Sequence, residues 1–257
     1  MKYINTHKEG RLNYITLNRP DKKNALNFEM VSEIKEALRE AASDEEVKII
    51  ILRGAGDTFC AGADLAYLKK LQLNTYEENL ADSEHLKGLF YQIYTMEKVV
   101  IAQVDGYAIA GGAGLATVCD FTFATPEAVF GYSEVKIGFV PAIVMVFLLR
   151  KISELHAREL LIGGNRISAQ RALEIGMINK IIAKSDLEST VKEFANKLCE
   201  ENSGQSMTLT KQMIASIQTK DLVSALDYAA EKNARARSFL DCKEGISSFL
   251  EKKKIKW

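Results

Sequence analysis

Apolar residues fall along this chain in two rhythms. Residues 12–17 and 47–52 are short runs rich in β-branched side chains, and the second is apolar enough for a strand buried on both faces. Between them Phe28, Val31, Ile34, Leu38 and Ala41 recur at spacings of three and four, which predicts a helix that Asn27 can cap. Together these make a β-α-β unit with parallel strands. The order then returns. Leu86, Leu89, Phe90, Ile93 and Met96 mark a helix face, followed by a strand over 99–104, Tyr107 to Ala110, an apolar stretch over 115–118 and a strand over 121–124.

Beyond residue 153 the rhythm is helical. Helices are predicted over 154–162, 168–175, 187–199, 206–217, 222–237 and 243–253, interrupted by one short strand at 178–182. Proline occurs only at Pro20, Pro126 and Pro141, and no Gly/Ser-rich linker separates the halves. The chain therefore reads as an α/β core over residues 1–195 with a helical C-terminal region over 196–257.

Composition narrows the functions available. With 257 residues, 47% of them hydrophobic, the chain can bury a large core. Lys+Arg and Asp+Glu are both 34, so no net charge draws it to nucleic acid or to an anionic membrane. The one-signed cluster, Lys252, Lys253, Lys254 and Lys256, reads as a solvated helix end. Cys60, Cys119, Cys199 and Cys242 are far apart and lack CxxC or zinc-type spacing, so neither a metal site nor disulfides are expected. No apolar stretch approaches the ~20 residues of a membrane span, and residues 1–9 lack an apolar run. A soluble, cytoplasmic protein is expected.

Two segments expose backbone. Phe59-Cys60-Ala61-Gly62-Ala63-Asp64-Leu65 follows a strand and opens a helix. Gly106-Tyr107-Ala108-Ile109-Ala110-Gly111-Gly112-Ala113-Gly114-Leu115 repeats that logic. Small side chains leave N–H groups accessible to an anion, although glycine-rich strand-to-helix turns also serve tight packing. Glu134, in Tyr132-Ser133-Glu134-Val135-Lys136-Ile137-Gly138-Phe139-Val140-Pro141, is a lone acid before an apolar stretch; by itself such a residue is usually on the surface.

Taken together these segments resemble the enoyl-CoA hydratase/isomerase (crotonase) family. Asn18-Arg19-Pro20, Asn24-Ala25-Leu26, Cys60 to Leu65, Asp105-Gly106-Tyr107, Gly111-Gly112 and Cys119-Asp120 follow the family's order. So do Ala172 to Ile178 and the ending from Asp241 to Gly245 and Phe249 to Lys253. The resemblance implies an α/β crotonase (ClpP/crotonase-like) fold of repeated ββα units, with C-terminal helices that build a trimer or a dimer of trimers. It implies an acyl-CoA thioester substrate and no cofactor, coenzyme A being part of the substrate. The N–H groups of Ala63 and Gly111 would hold the thioester oxygen and Glu134 would act as acid/base. Ala25, Asp64, Leu65, Ala66, Gly112, Gly114 and Ala142 would line the substrate and CoA path, and Phe249 and Lys252 would complete a neighbouring subunit's pocket.

One departure matters. Family hydratases of the best-known type carry a second glutamate where this chain has Gly114. Two carboxylates suit hydration, one activating water for the β-carbon and one handling the proton at the α-carbon. The pattern nevertheless resembles hydratases of branched, carboxylated enoyl-CoAs such as 3-methylglutaconyl-CoA, so hydration of an enoyl-CoA is the first expectation. A 3,2-enoyl-CoA isomerase using Glu134 alone comes second, and an acyl-CoA-binding protein with lost catalysis third. A smaller departure is Pro141-Ala142, where the family often has Pro-Gly. Tyr132 and Asp82 are candidate water holders that read more simply as a packed tyrosine and a solvated acid. His7, His85 and His156 receive no role, Ser133 and Cys60 have no base at recognisable spacing, and the glycines lack the GxGxxG order of a nicotinamide site.

Overall fold

The computed structural model describes residues 1–257, and its ten strands form two sheets. β1 (Ile4–Glu9) and β2 (Leu12–Leu17) are an antiparallel hairpin turning at Gly10, where φ is 56°. After α1 (Phe28–Ser43), β3 (Ile49–Gly54) pairs parallel with β2, the β-α-β unit expected from the sequence. The Asn27 side chain caps α1 by accepting the Met30 N–H. Val31, Ile34, Leu38 and Ala41 are buried, whereas Phe28 remains 45% exposed.

Three times the chain lays a strand in the first sheet and, after a short turn, one in the second. β3 is followed by β4 (Thr58–Cys60), then α2 (Leu65–Leu71) and α3 (Tyr76–Thr95). β5 (Val99–Val104) is followed by β6 (Tyr107–Ile109) and α4 (Gly111–Val118). β7 (Phe121–Ala124) is followed by β8 (Val129–Gly131), then α5 (Ala142–Lys151) and α6 (Glu154–Gly163). β9 (Arg166–Ser168), α7 (Ala169–Glu174) and β10 (Lys180–Ile181) complete the sheets, whose orders are β1-β2-β3-β5-β7-β10 and β4-β6-β8-β9. These are the repeated ββα units.

Alternation along β3 explains why its sequence is continuously apolar. Ile50 and Leu52 enter the main core with α1, α3 and α4, while Ile49 and Ile51 pack on the other face with Leu187, Val191 and Ala195. Those three residues belong to α8 (Leu187–Glu201), which runs through residues 195 and 196. α9 (Gly204–Ile217), α10 (Leu222–Ala236) and α11 (Leu240–Leu250) follow. The expected last helix over 243–253 lies three residues earlier, and its end is marked by Lys252 at φ 56°.

The sequence did not announce β1, β4, β8 or β9. β1 buries only Ile4, and the other three are three-residue strands too short to show a period. The stretch over 115–118 is the second half of α4, a helix buried from Gly112 to Val118 and so apolar all round.

Candidate active site

β4, β6 and β8 lie side by side and parallel, with Cys60 opposite Ala108 and Ile109 opposite Gly131. Ala63, Gly111 and Glu134 each follow within three residues of the carboxyl end of one of these strands. Sheet order thus gathers residues that are 48 and 23 positions apart in sequence (111 minus 63, 134 minus 111). The carboxyl edge of neighbouring parallel strands is where α/β folds most often bind ligands.

Ala63 is held through its two chain neighbours. Leu26 N–H donates to Gly62 O at 2.7 Å and Leu26 O accepts from Asp64 N–H at 2.8 Å, so Ala63 is bracketed in a single parallel bridge. The Ala63 N–H itself donates to no protein acceptor. Leu26 is fixed in turn by a strap. Arg19 donates to Ala25 O at 2.7 Å and to Asp64 Oδ2 at 2.8 Å, with its guanidinium 4.8 Å from the Tyr3 ring centroid. Fully buried Asn24, at φ 53°, donates to Ala55 O and Thr58 O and accepts from Arg19 N–H.

Asp64 also caps α2, its Oδ1 accepting from Ala66 and Tyr67 N–H. Burial by itself would raise the Asp64 pKa. The Arg19 guanidinium and the two N–H groups outweigh it and hold the carboxyl below its ordinary value.

Gly111 is aimed by strain. Ala110, at φ 51° and ψ −121°, turns the chain from β6 into α4, and its N–H is tied to Gly131 O at 2.7 Å. Such a conformation costs a non-glycine residue about 1–3 kcal/mol and persists only where its surroundings impose it. As the first residue of α4, Gly111 has no intrahelical acceptor for its N–H, and no turn or loop acceptor takes it. The two donor loops touch: a Cβ at Gly62, where φ is 91°, would lie 2.9 Å from Ala110 Cβ and 3.5 Å from Gly111 N. At Gly112 a Cβ would come within 2.0 Å of Cys60 O, so the helix start requires glycine there for packing against β4.

Glu134 begins a short 3-10 turn, Glu134–Ile137. Its Oε2 is buried without a hydrogen-bond partner, and burial raises its pKa, partly offset by its own backbone N–H. Beside it Tyr132 is fully buried, its hydroxyl 2.8 Å from Thr117 Oγ1 on α4. That bond ties the Glu134 segment to the helix that carries Gly111. Asp82 is occupied by the Tyr67 hydroxyl.

The other predicted residues divide. Ala25 is buried, Asp64 forms the strap just described, and Leu65 and Ala66 are exposed at the start of α2, Leu65 by 80%. Ala142 is exposed at the start of α5, beyond buried Pro141. Gly114 is buried, facing Val144 from α5. Phe249 lies at the end of α11, which packs on α9, and Lys252 follows just beyond that helix; Phe249 is 82% exposed. Cys60 is fully buried and its thiol is pushed up to about 12 by burial, which suits packing rather than nucleophilic chemistry. His85 stacks on Phe28 with centroids 4.0 Å apart. A cleft of about 790 Å³ lies instead at the opposite end of α4, lined by Thr117, Cys119, Asp120, Lys151 and Lys211, and by none of Ala63, Gly111 and Glu134.

Two N–H donors without protein acceptors, in contacting loops, and a carboxylate with one buried, unpaired oxygen all follow the carboxyl ends of neighbouring strands, an arrangement that makes this the candidate site. The chain belongs to the enoyl-CoA hydratase/isomerase family, whose profile matches residues 7–257. It is 36% identical over 250 residues to the short-chain-enoyl-CoA hydratase of Clostridium acetobutylicum, covering 96% of this chain and 94% of that one. It is 31% identical over 255 residues to the 1,2-epoxyphenylacetyl-CoA isomerase of Escherichia coli, covering 98% and 97%. The crystal structure of an enoyl-CoA hydratase from Shewanella pealeana superposes with a TM-score of 0.93 at 32% identity, over 99% of this chain and 96% of that one. The fold is therefore the crotonase fold expected from the sequence motifs.

Val144 and the Leu26 bracket were not among the residues picked out from sequence. Leu26 stands in the Asn24-Ala25-Leu26 motif and could have been found there. Val144 sits inside an ordinary apolar helix and carries no local signal.

Proposed function

We propose that this chain is an enoyl-CoA hydratase that works through a thioester enolate. The observation that carries the reading is the buried, unpartnered Oε2 of Glu134 beside the Ala63 and Gly111 loops. Water oxygen bonds to the β-carbon of the enoyl thioester, and the electron pair of the 2,3 double bond moves toward the thioester oxygen. That oxygen accepts hydrogen bonds from Ala63 and Gly111 N–H, and one preorganised donor of this kind is worth about 2.7–4 kcal/mol in another enzyme. Charge growing at the first residue of α4 also meets the positive end of the helix dipole. Glu134 serves as acid/base: it takes the proton that water loses as the C–O bond forms and delivers it to the α-carbon as the enolate collapses, a role its raised pKa favours. No cofactor enters these steps.

The narrower form of the proposal is a branched, carboxylated enoyl-CoA, whose own carboxylate helps hold water. A second reading, 3,2-enoyl-CoA isomerase with Glu134 moving one proton between C2 and C4, is favoured by the apolar packing of Val144 on Gly114. The exposed ends of α10 and α11, with Leu226 61% and Leu250 74% exposed, support assembly into a trimer or dimer of trimers. Phe249 and Lys252 would then reach a neighbour's CoA. A cytoplasmic setting fits this reading, and no helix is long and apolar enough to cross a membrane.

The test is a spectrophotometric assay of the parent and of Glu134→Gln with crotonyl-CoA, 3-methylglutaconyl-CoA and a 3-enoyl-CoA. Hydration of either 2-enoyl substrate, lost in the variant, is the expected result. Turnover of the 3-enoyl substrate alone would install the isomerase reading. Tight acyl-CoA binding with no turnover of any of the three would make the chain a binding protein.

A further inference from the structure

We propose that Val144 is a specificity-determining residue: it keeps a second carboxylate off α4 and leaves Glu134 to move protons alone. The proposal deepens the enolate reading above and rests on it. Gly111 and Gly114 are three positions apart in α4, so they share one face of the helix whose first N–H is a proposed oxyanion donor. Along that face the surroundings change sharply. A Cβ at Gly111 would make an ordinary 3.5 Å contact with Leu26 Cδ1. A Cβ at Gly114 would stand 2.2 Å from Val144 Cγ1, 2.8 Å from Val144 Cβ and 3.0 Å from Phe90 Cε1.

The nature of the obstacle matters. At Gly112 it is the backbone carbonyl of Cys60, which no side-chain substitution removes. At Gly114 it is chiefly one β-branched side chain, 4% exposed, packed beside a fully buried phenylalanine. A valine in a helix has one strongly preferred χ1 rotamer and cannot swing aside cheaply. α5 also packs closely along α4, and its Val144 and Leu148 are buried. Glycine at 114 and valine at 144 are therefore complementary, and the glycine cannot be exchanged for an acidic residue while the valine stays. Position 144 thus decides whether α4 contributes a proton-carrying group. With an apolar wall there, the chemistry open to the site is proton movement by one carboxylate, or addition of water held by something other than α4.

The experiment compares crotonyl-CoA hydration, its pH profile and melting temperature for the parent, Gly114→Glu, Val144→Gly and the pair. Gly114→Glu alone is expected to melt lower than the parent and gain no hydration. The pair is expected to exceed Val144→Gly in kcat/KM by about a hundredfold, the low end of what a positioned acid/base contributes, and to show an additional ionisation in its pH profile. The proposal is overturned if Gly114→Glu gains as much as the pair, or if the pair folds and binds CoA but gains nothing over Val144→Gly. Should the pair not fold, Gly114→Ala and Gly114→Ala with Val144→Gly decide the matter by melting temperature. Relief of the alanine penalty by Val144→Gly supports the proposal, and simple additivity overturns it. A parent inactive toward both crotonyl-CoA and 3-methylglutaconyl-CoA, with a pair active toward crotonyl-CoA, would sink the hydratase reading and uphold Val144.

Discussion

Leu26 holds Ala63 from both sides, through its N–H to Gly62 O at 2.7 Å and its carbonyl to Asp64 N–H at 2.8 Å. With its neighbours bonded and its own N–H unpaired, Ala63 has the preorganised donor that the proposed enolate chemistry requires. Arg19 reaches both ends of this bracket, at Ala25 O and Asp64 Oδ2, so the orientation of one proposed catalytic N–H depends on a guanidinium in the Asn18-Arg19-Pro20 motif.

Loosening that strap should therefore reduce kcat more than it raises KM. Arg19→Gln is expected to destabilise the fold by about 1–3 kcal/mol, the cost of leaving hydrogen-bonded partners unsatisfied. It should also weaken the enolate absorbance of bound acetoacetyl-CoA. An unchanged spectrum with a lower melting temperature would limit Arg19 to a structural role.

Asp64 gives a pH dependence whose sign can be worked out. Its folded-state pKa is held below the ordinary 3.8, so the folded state binds fewer protons than the unfolded state around that pH. Its stabilisation is present above 3.8 and is lost as pH falls through the lower, folded value. Asp64→Asn should be less stable than the parent near neutrality, and the gap should close in acid; thermal melts across pH 2–6 (about the span of carboxylate titration) read this directly.

Glu134 should behave oppositely. Its pKa is raised by burial, so stability falls as pH climbs from the ordinary value of 4.5 through the raised folded value. Glu134→Gln is expected to melt higher than the parent above that window and to match it in acid, while turnover drops by about 10²–10⁴-fold. A variant that is inactive and also less stable at neutral pH would contradict the view that the buried carboxylate is kept for chemistry at the expense of stability.

Gly62 separates the two donor loops. Gly62→Ala combines φ 91° with a Cβ 2.9 Å from Ala110 Cβ and Ile109 O, so it should cost about 1–3 kcal/mol and displace both N–H donors together. The expected signature is loss of kcat with CoA affinity retained, measured by steady-state kinetics and CoA titration.

Phe249 and Lys252 test the assembly. If they complete a neighbour's pocket, Lys252→Ala should raise KM for CoA substrates in a salt-sensitive way and leave kcat nearly unchanged. Size-exclusion with light scattering should give a multiple of three chains. A monomer with full activity would remove both residues from the site.

The sequence by itself determined much of this protein. Periodicity placed β2, β5 and β7 and the body of α1, because strands and helices that bury a full face must repeat their apolar residues at 2 or 3.6. The ordered motifs at Cys60 to Leu65 and at Gly111-Gly112 identified the family, because small residues are required wherever backbone must be approached closely. Three-residue strands such as β4 and β8 were invisible: they carry no period, and their pairing is set by distant partners, as Thr58 opposite Tyr107 is by 49 residues (107 minus 58) and Ile109 opposite Gly131 by 22 (131 minus 109). Only the tertiary structure decided that Ala110 is strained, that Leu26 brackets Ala63, and that α11 packs on α9 with Phe249 exposed. It also decided what Gly114 means. In the sequence Gly114 is a missing carboxylate; in the fold it is the one residue that fits beneath Val144, because close packing couples side chains the chain places thirty residues apart (144 minus 114).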